Sequence, residues 1–152
     1  MPKVTVTAAK GLVQDSGSGH VLARGSAPAF VQKYAAPAAP GATNQTITIA
    51  QLLTGVLAQD PAGAGTWTLP TNALLQAGLP GPQAGDTIDF SVINLDGTAA
   101  VAITVAAGSG GSTIGNMEVE SADTADDAIS SGSGMFRIRI VSSSAYVVYR
   151  LA

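Results

Sequence analysis

Apolar and polar residues alternate most regularly in residues 85–105, and this alternation predicts two β-strands. Residues 87–92 place isoleucine, phenylalanine and valine on one face and polar side chains on the other, which is the period of a half-buried strand. The same period returns in residues 101–105. Asp96-Gly97 lies between the two strands, and glycine adopts the positive φ of a tight turn without steric cost. The sequence therefore predicts a hairpin that needs other strands to cover its apolar face.

Shorter runs on both sides of this hairpin predict the covering strands, at residues 46–49, 65–70, 113–116, 117–120, 134–141 and 146–151. Two segments have helical features instead. Residues 50–59 carry leucine and valine at helical spacing after a Thr48-Gln51 capping box, and residues 71–78 run from a threonine N-cap to a glycine. We therefore expect an all-β fold, an antiparallel β-sandwich or jelly-roll-like body with one or two short helices.

The first 45 residues differ from the rest in composition. A glycine- and serine-rich stretch at residues 15–20 and three prolines within residues 26–41 disfavour regular structure. Large apolar residues are also too few here for a separate core. We predict an extended N-terminal arm over residues 1–45, with a short strand at its start, and a β-sandwich body over residues 46–152.

Charge divides at the same boundary. The arm has a net charge of +3 and the body a net charge of −6, which predicts that the arm contacts a partner or a neighbouring copy of the chain. An arm that stays disordered and has no partner is the alternative. The candidate contact residues are the basic and aromatic side chains of the arm: Lys3, Lys10, Arg24, Phe30, Lys33 and Tyr34.

The chain as a whole is poor in charge. Only 11% of its residues are charged, against roughly 25% in typical domains, so self-association is expected to cover part of its surface. A monomer with a weakly polar surface of small residues is the alternative. The absence of cysteine excludes disulfides and thiolate sites. The acidic body disfavours nucleic acid, and no run approaches the roughly 20 apolar residues of a membrane span.

Residues with catalytic or metal-binding potential are few. His20 lies in the glycine- and serine-rich stretch, where no rigid partner is expected. Gly110 to Gly115 has the glycine spacing of a phosphate-binding loop but lacks the lysine that such a loop needs. The acids of residues 118–127 could hold calcium or act as paired carboxylates, but we favour solvated loop charges, since none matches a calcium-binding motif. We therefore predict no enzyme activity, no catalytic or metal residues and no cofactor.

The aromatic residues of the body allow two interpretations. Because they lie on separate predicted strands, a shared core is favoured, and an exposed sugar-binding platform is the alternative. They are Trp67, Phe90, Phe136, Tyr146 and Tyr149. Arg137 and Arg139 alternate with apolar residues and so share the opposite face of their strand, where they pair with acids, contact a partner or are solvated.

Four segments of the body resemble capsid decoration (cement) proteins and head fibres of tailed bacteriophages. They are QTITIAQLLTG at 45–55, GTWTLPT at 65–71, GDTIDFSVIN at 85–94 and MFRIRIVSSSAYVVYRL at 135–151. Their order carries the resemblance: a threonine-rich strand into a short helix, a second helix, an acidic strand and an aromatic terminal strand. The segments span about two-thirds of the chain, and the arm has no counterpart.

This resemblance implies a non-enzymatic virion protein, made in the host cytoplasm, that forms a homotrimer on the outer capsid surface. Its implied partners are the major capsid protein and neighbouring copies of itself, whose contacts it would stabilise against internal pressure. A receptor- or glycan-binding module of a head or tail fibre is the alternative function. A small carbohydrate hydrolase that uses Glu118 or Glu120 is a third, poorer one.

Overall fold

The computed structural model describes two compact units, residues 1–35 and residues 36–152. In the first unit only the backbone of four strands is described: β1 (Val4–Thr7), β2 (Gly11–Gln14), β3 (His20–Ala23) and β4 (Ala29–Gln32). Strand β1 pairs antiparallel with β2, and β3 pairs antiparallel with β4. From residue 35 onward the described residues are 35–41, 43–97, 101–121 and 132–152. The sequence predicted the strand at β1 but not the other three.

The second unit contains two sheets and two short helices. Its elements in chain order are β5 (Gln45–Thr46), α1 (Ile49–Leu52), β6 (Val56–Gln59), β7 (Gly65–Thr68), α2 (Asn72–Gly78), β8 (Thr87–Asn94), β9 (Ile103–Ala106), β10 (Gly111–Ile114), β11 (Glu118–Val119), β12 (Ser133–Ser142) and β13 (Ala145–Arg150). One sheet has the order β10-β13-β12-β8-β6 and the other β11-β9-β7-β5. The mostly-β prediction is confirmed. Neither helix, within the part of the chain described, is long and apolar enough to cross a bilayer.

Both sheets are mixed, so the prediction of purely antiparallel pairing was wrong. Strand β12 pairs antiparallel with β8 and β13, and β11 does so with β9. The pairs β10–β13, β6–β8, β7–β9 and β5–β7 are parallel. Parallel pairing needs a crossover between the two strands. Here α2 and β8 lie between β7 and β9 in the chain, which provides such a crossover.

The predicted hairpin over residues 85–105 does not form, because β8 and β9 belong to different sheets. Gly97 does not adopt a positive φ, so the tight turn expected at Asp96-Gly97 is absent. Instead the buried Asn94 side chain donates to the carbonyls of Val101 (2.8 Å) and Val119 (3.2 Å). This amide therefore links the end of β8 to the residues just before β9 and to the end of β11. Between β8 and β9 the chain crosses from one sheet to the other.

The helix predicted over residues 50–59 is shorter than expected. Its capping box is confirmed, since the Thr48 hydroxyl accepts from the Gln51 amide and the Gln51 side chain accepts from Thr48 N–H. The helix ends at Leu52, and Gly55 follows in the left-handed region with φ 76°. Residues 56–59 then form β6, which pairs with β8. Pairing to a distant strand outweighs the helical spacing of this segment.

One apolar core receives side chains from both sheets. It contains Trp67 of β7, Phe90 of β8 and Phe136 of β12, together with residues of α1, α2 and four further strands. The rings of Phe90 and Phe136 stack with their centroids 5.5 Å apart. Fully burying a side chain of this size contributes roughly 1.5–3 kcal/mol. The core therefore joins the two sheets into one folded unit.

Candidate functional site

Most of the predicted contact residues of the arm lie outside the described residues, so the structure does not show whether they lie near one another. Lys3, Lys10, Arg24, Lys33 and Tyr34 lie outside the described residues. Phe30 lies in β4, where the backbone pairs with Leu22 of β3. The arm therefore stays a prediction made from its charge and its two aromatic residues.

The aromatic residues of the body mostly form the core, as the favoured interpretation predicts. Trp67, Phe90, Phe136 and Tyr146 are all buried, and only Tyr149 is partly exposed. A sugar-binding platform built on Trp67 is thus excluded, because its ring is 1% exposed. Four of the five aromatic residues stabilise the fold and are not free to contact a partner.

The acidic residues do not converge on a metal site in the described part of the chain, where no group of three or more potential ligands occurs. Glu118 and Glu120 are exposed, and they flank the buried Val119 in the sequence. The remaining candidates, Asp123, Asp126 and Asp127, lie outside the described residues.

The five-stranded sheet turns one side to the core, and most side chains on its other side are at least partly exposed, although Val147 there is buried. Along β12 the buried Phe136, Ile138 and Ile140 alternate with Met135, Arg137 and Arg139, which are at least partly exposed. We call the side that carries the second set the outer face. The strand register continues it onto β8, β13, β10 and β6. The outer face is therefore a regular surface made by five neighbouring strands.

One end of the outer face is apolar. Ile114 of β10 lies beside Tyr149 of β13, and the Leu151 amide donates to the Met135 carbonyl of β12 (2.8 Å). The period of two puts Leu151 on the same side as Tyr149. We call Ile114, Met135, Tyr149 and Leu151 the apolar patch. On the other side of Met135, Ser91 of β8 and Val56 of β6 extend its row without adding charge.

An ion pair occupies the middle of the outer face. Arg137 donates from Nε to Asp89 Oδ1 (2.6 Å) and from Nη2 to Asp89 Oδ2 (2.7 Å), across the paired strands β12 and β8. The hydrogen bonds from Arg137 lower the pKa of Asp89, although burial opposes this slightly. The same contacts raise the pKa of Arg137. The pair neutralises the carboxylate that this part of the outer face carries.

Replacing Asp89 with asparagine should lower stability slightly near neutral pH and not at all in acid. Because folding lowers the pKa of Asp89, its contribution is present above its unfolded value of 3.8 and is lost as pH falls through the folded value. The pair is exposed and screened, so we expect a fall in Tm of a few degrees at most. Thermal unfolding between about pH 7 and about pH 2 measures this.

The matched control is Glu120→Gln, which removes an exposed carboxylate elsewhere. Its Tm should follow that of the wild type closely at every pH. A difference between the wild type and Asp89→Asn that stayed constant down to about pH 2 would contradict the assigned role of the ion pair.

A groove of about 780 Å³ lies beside α2. Its polar lining comes from the helix and two turns: Thr71, Asn72, Gln76, Ser109, Ser143 and Ser144. The Asn72 amide donates to the Ser143 carbonyl (2.8 Å), and Gln76 Nε2 lies 3.5 Å from the Ser142 carbonyl oxygen. These side chains hold α2 against the β12–β13 turn. The groove lining carries no charged side chain, and the amide nitrogens of Asn72 and Gln76 face backbone carbonyls at the end of β12 and in the turn that follows it.

Comparison with known proteins identifies no family to which this chain belongs. It matches no protein-family model, no curated protein and no solved structure at a significant level. The resemblance to phage decoration proteins therefore stays a prediction that depends on four short segments and their order. What the chain does has to be inferred from the outer face, from the distribution of charge and from that resemblance.

Proposed function

We propose that the chain is a non-enzymatic structural protein of a tailed-bacteriophage virion. It binds the outer capsid surface as an oligomer, with a trimer as the expected stoichiometry, and stabilises contacts between capsid subunits. Its body is a jelly-roll-like β-sandwich and its first residues form an arm. The observation that supports the proposal most directly is the outer face, which exposes an apolar patch on a β-unit with few charges.

The outer face suits a permanent contact with protein better than a small-molecule site. It is a sheet surface built by strand pairing, and its one described ion pair is closed between neighbouring strands. Exposed apolar patches on soluble proteins commonly mark interaction surfaces.

Charge gives the two units different tasks in this proposal. Residues 1–35 carry a net charge of +3 and residues 36–152 a net charge of −6. A basic segment can contact acidic patches on the major capsid protein that would repel the rest of the chain. An oligomer presents several such segments together, so weak individual contacts add to a strong attachment.

Neutralising the basic residues of the arm tests this attachment. The test variant is the full-length chain with Lys3→Gln, Lys10→Gln, Arg24→Gln and Lys33→Gln. At low salt its affinity for purified capsids of the encoding phage should be lower than that of the wild type by a factor of about ten or more. The difference from the wild type should shrink as salt screens the charges. Co-sedimentation with capsids over a range of salt concentrations measures both effects.

The control variant Glu118→Gln and Glu120→Gln changes two exposed charges of the body instead. Its capsid affinity should equal or exceed that of the wild type. Equal binding by the variant of the arm and the wild type at every salt concentration would reject the role of the arm. Failure of the wild-type chain to bind any capsid, or its absence from purified particles, would reject the proposed function itself.

A further inference from the structure

The apolar patch exposes large side chains where a sheet surface would ordinarily carry polar ones. Ile114 is 54% exposed, Leu151 is 45% exposed and Met135 is 43% exposed. Tyr149 lies beside Ile114 and is partly exposed. Strands β10, β13 and β12 are adjacent and contribute Ile114, Tyr149 and Met135, and Leu151 directly follows β13 beside Met135, so the patch is continuous.

The area of the outer face decides what could cover it. The four side chains of the patch expose on the order of 300 Å², which equals the largest apolar patch of many monomers. A stable protein interface covers about 800 Å² on each partner. Five strands about 4.8 Å apart and about six residues long occupy roughly 24 by 20 Å, and the side chains add to that area. The whole outer face, with the patch as its apolar part, therefore approaches the size that a stable contact between two copies needs.

Charge favours a second copy of the chain as the partner. The unit of residues 36–152 carries a net charge of −6, so most of its surface repels another copy. On the outer face the Asp89 carboxylate is paired with Arg137, and Arg139 adds a positive charge. Two copies can therefore approach through this face with less repulsion than the net charge imposes.

We propose that the outer face of the five-stranded sheet is the self-association surface of this protein, with the apolar patch as its main contact with a second copy. The inference rests on the oligomer of the proposed function and assigns it a location. Ile114 and Leu151 lose exposed apolar area on association, and Tyr149 lies between Ile114 and Arg137 in the register of the sheet.

Charged substitutions in the patch test the assignment on the full-length protein. The variant Ile114→Lys and Leu151→Lys places two like charges in the contact, so we expect its self-association to be at least about tenfold weaker than that of the wild type. Sedimentation equilibrium over a range of protein concentrations gives the stoichiometry and the affinity. Far-UV circular dichroism establishes that the variant is folded.

Leu53→Lys with Leu74→Lys is the matched control, because these leucines are 47% and 52% exposed and belong to helical segments outside the sheet. This control should associate as the wild type does. A wild-type chain that is monomeric throughout, or a control that weakens association as much as the patch variant, would overturn the proposal. A wild-type chain that is monomeric but still co-sediments with capsids would overturn the self-association surface, and the proposed attachment to capsids would stand.

Discussion

Replacing Trp67 with alanine should lower the free energy of unfolding by about 3–5 kcal/mol, because truncating a buried tryptophan leaves a cavity in the core. The ring is 1% exposed and belongs to the cluster that joins the two sheets. Total stabilities of natural domains are about 5–15 kcal/mol, so this loss is a large share of the whole. Urea unfolding followed by far-UV circular dichroism measures it, since the only tryptophan is removed.

Two further variants make the result specific to the core. Leu74→Ala removes an apolar side chain that is 52% exposed, and its stability should stay close to that of the wild type. Trp67→Phe should cost less than half as much as Trp67→Ala. It keeps an aromatic ring and removes a buried indole N–H that has no hydrogen-bond partner among the described residues. A Trp67→Ala protein with unchanged stability would show that the ring does not fill the core.

Replacing Tyr146 with phenylalanine should cost about 2–6 kcal/mol, although the ring itself is kept. The buried hydroxyl accepts from the Gly108 amide (2.7 Å) and donates to the Pro70 carbonyl (2.9 Å). Without it two buried backbone groups lose their partner, each at a cost of about 1–3 kcal/mol. Urea unfolding of the wild type and the variant gives the difference.

The pH dependence provides an independent check on Tyr146. Burial raises the pKa of its hydroxyl, and the hydrogen bond from Gly108 opposes part of that rise. Its contribution should therefore be complete below the ordinary value of 10.0 and should decline as pH rises through the higher folded value. Tyr149→Phe, which alters a partly exposed tyrosine on the outer face, should change stability by less than about 0.5 kcal/mol. Equal losses in the two variants would contradict the role given to the buried hydroxyl.

Tyr146 holds together parts of the fold that carry the outer face. Tyr146 begins the part of β13 that pairs with β10, and its hydroxyl binds the loops before α2 and before β10. Gly111 opposite it has no room for a side chain, since an added Cβ would lie 2.3 Å from the Tyr146 ring. The position of β10, and with it the exposure of Ile114, therefore depends on the Tyr146 ring and hydroxyl.

Sequence alone was sufficient wherever the deciding interaction is local. The Thr48–Gln51 capping box, the Thr71 N-cap and the alternation of β12 all appear where the pattern predicts them. Each depends on residues within a few positions of one another, so the sequence contains both partners of the contact. The same alternation placed Arg137 and Arg139 together on the face opposite the core.

Only the tertiary structure decided which strands pair and which face stays exposed. Residues 56–59 have helical spacing but form a strand because β8 offers a partner more than thirty residues away. Strands β8 and β9 both alternate as predicted, yet they lie in different sheets. The apolar patch depends on the register of β10, β13 and β12. An alternating pattern states that one side of a strand is apolar, whereas the packing of distant segments determines what covers that side and what is left for a partner.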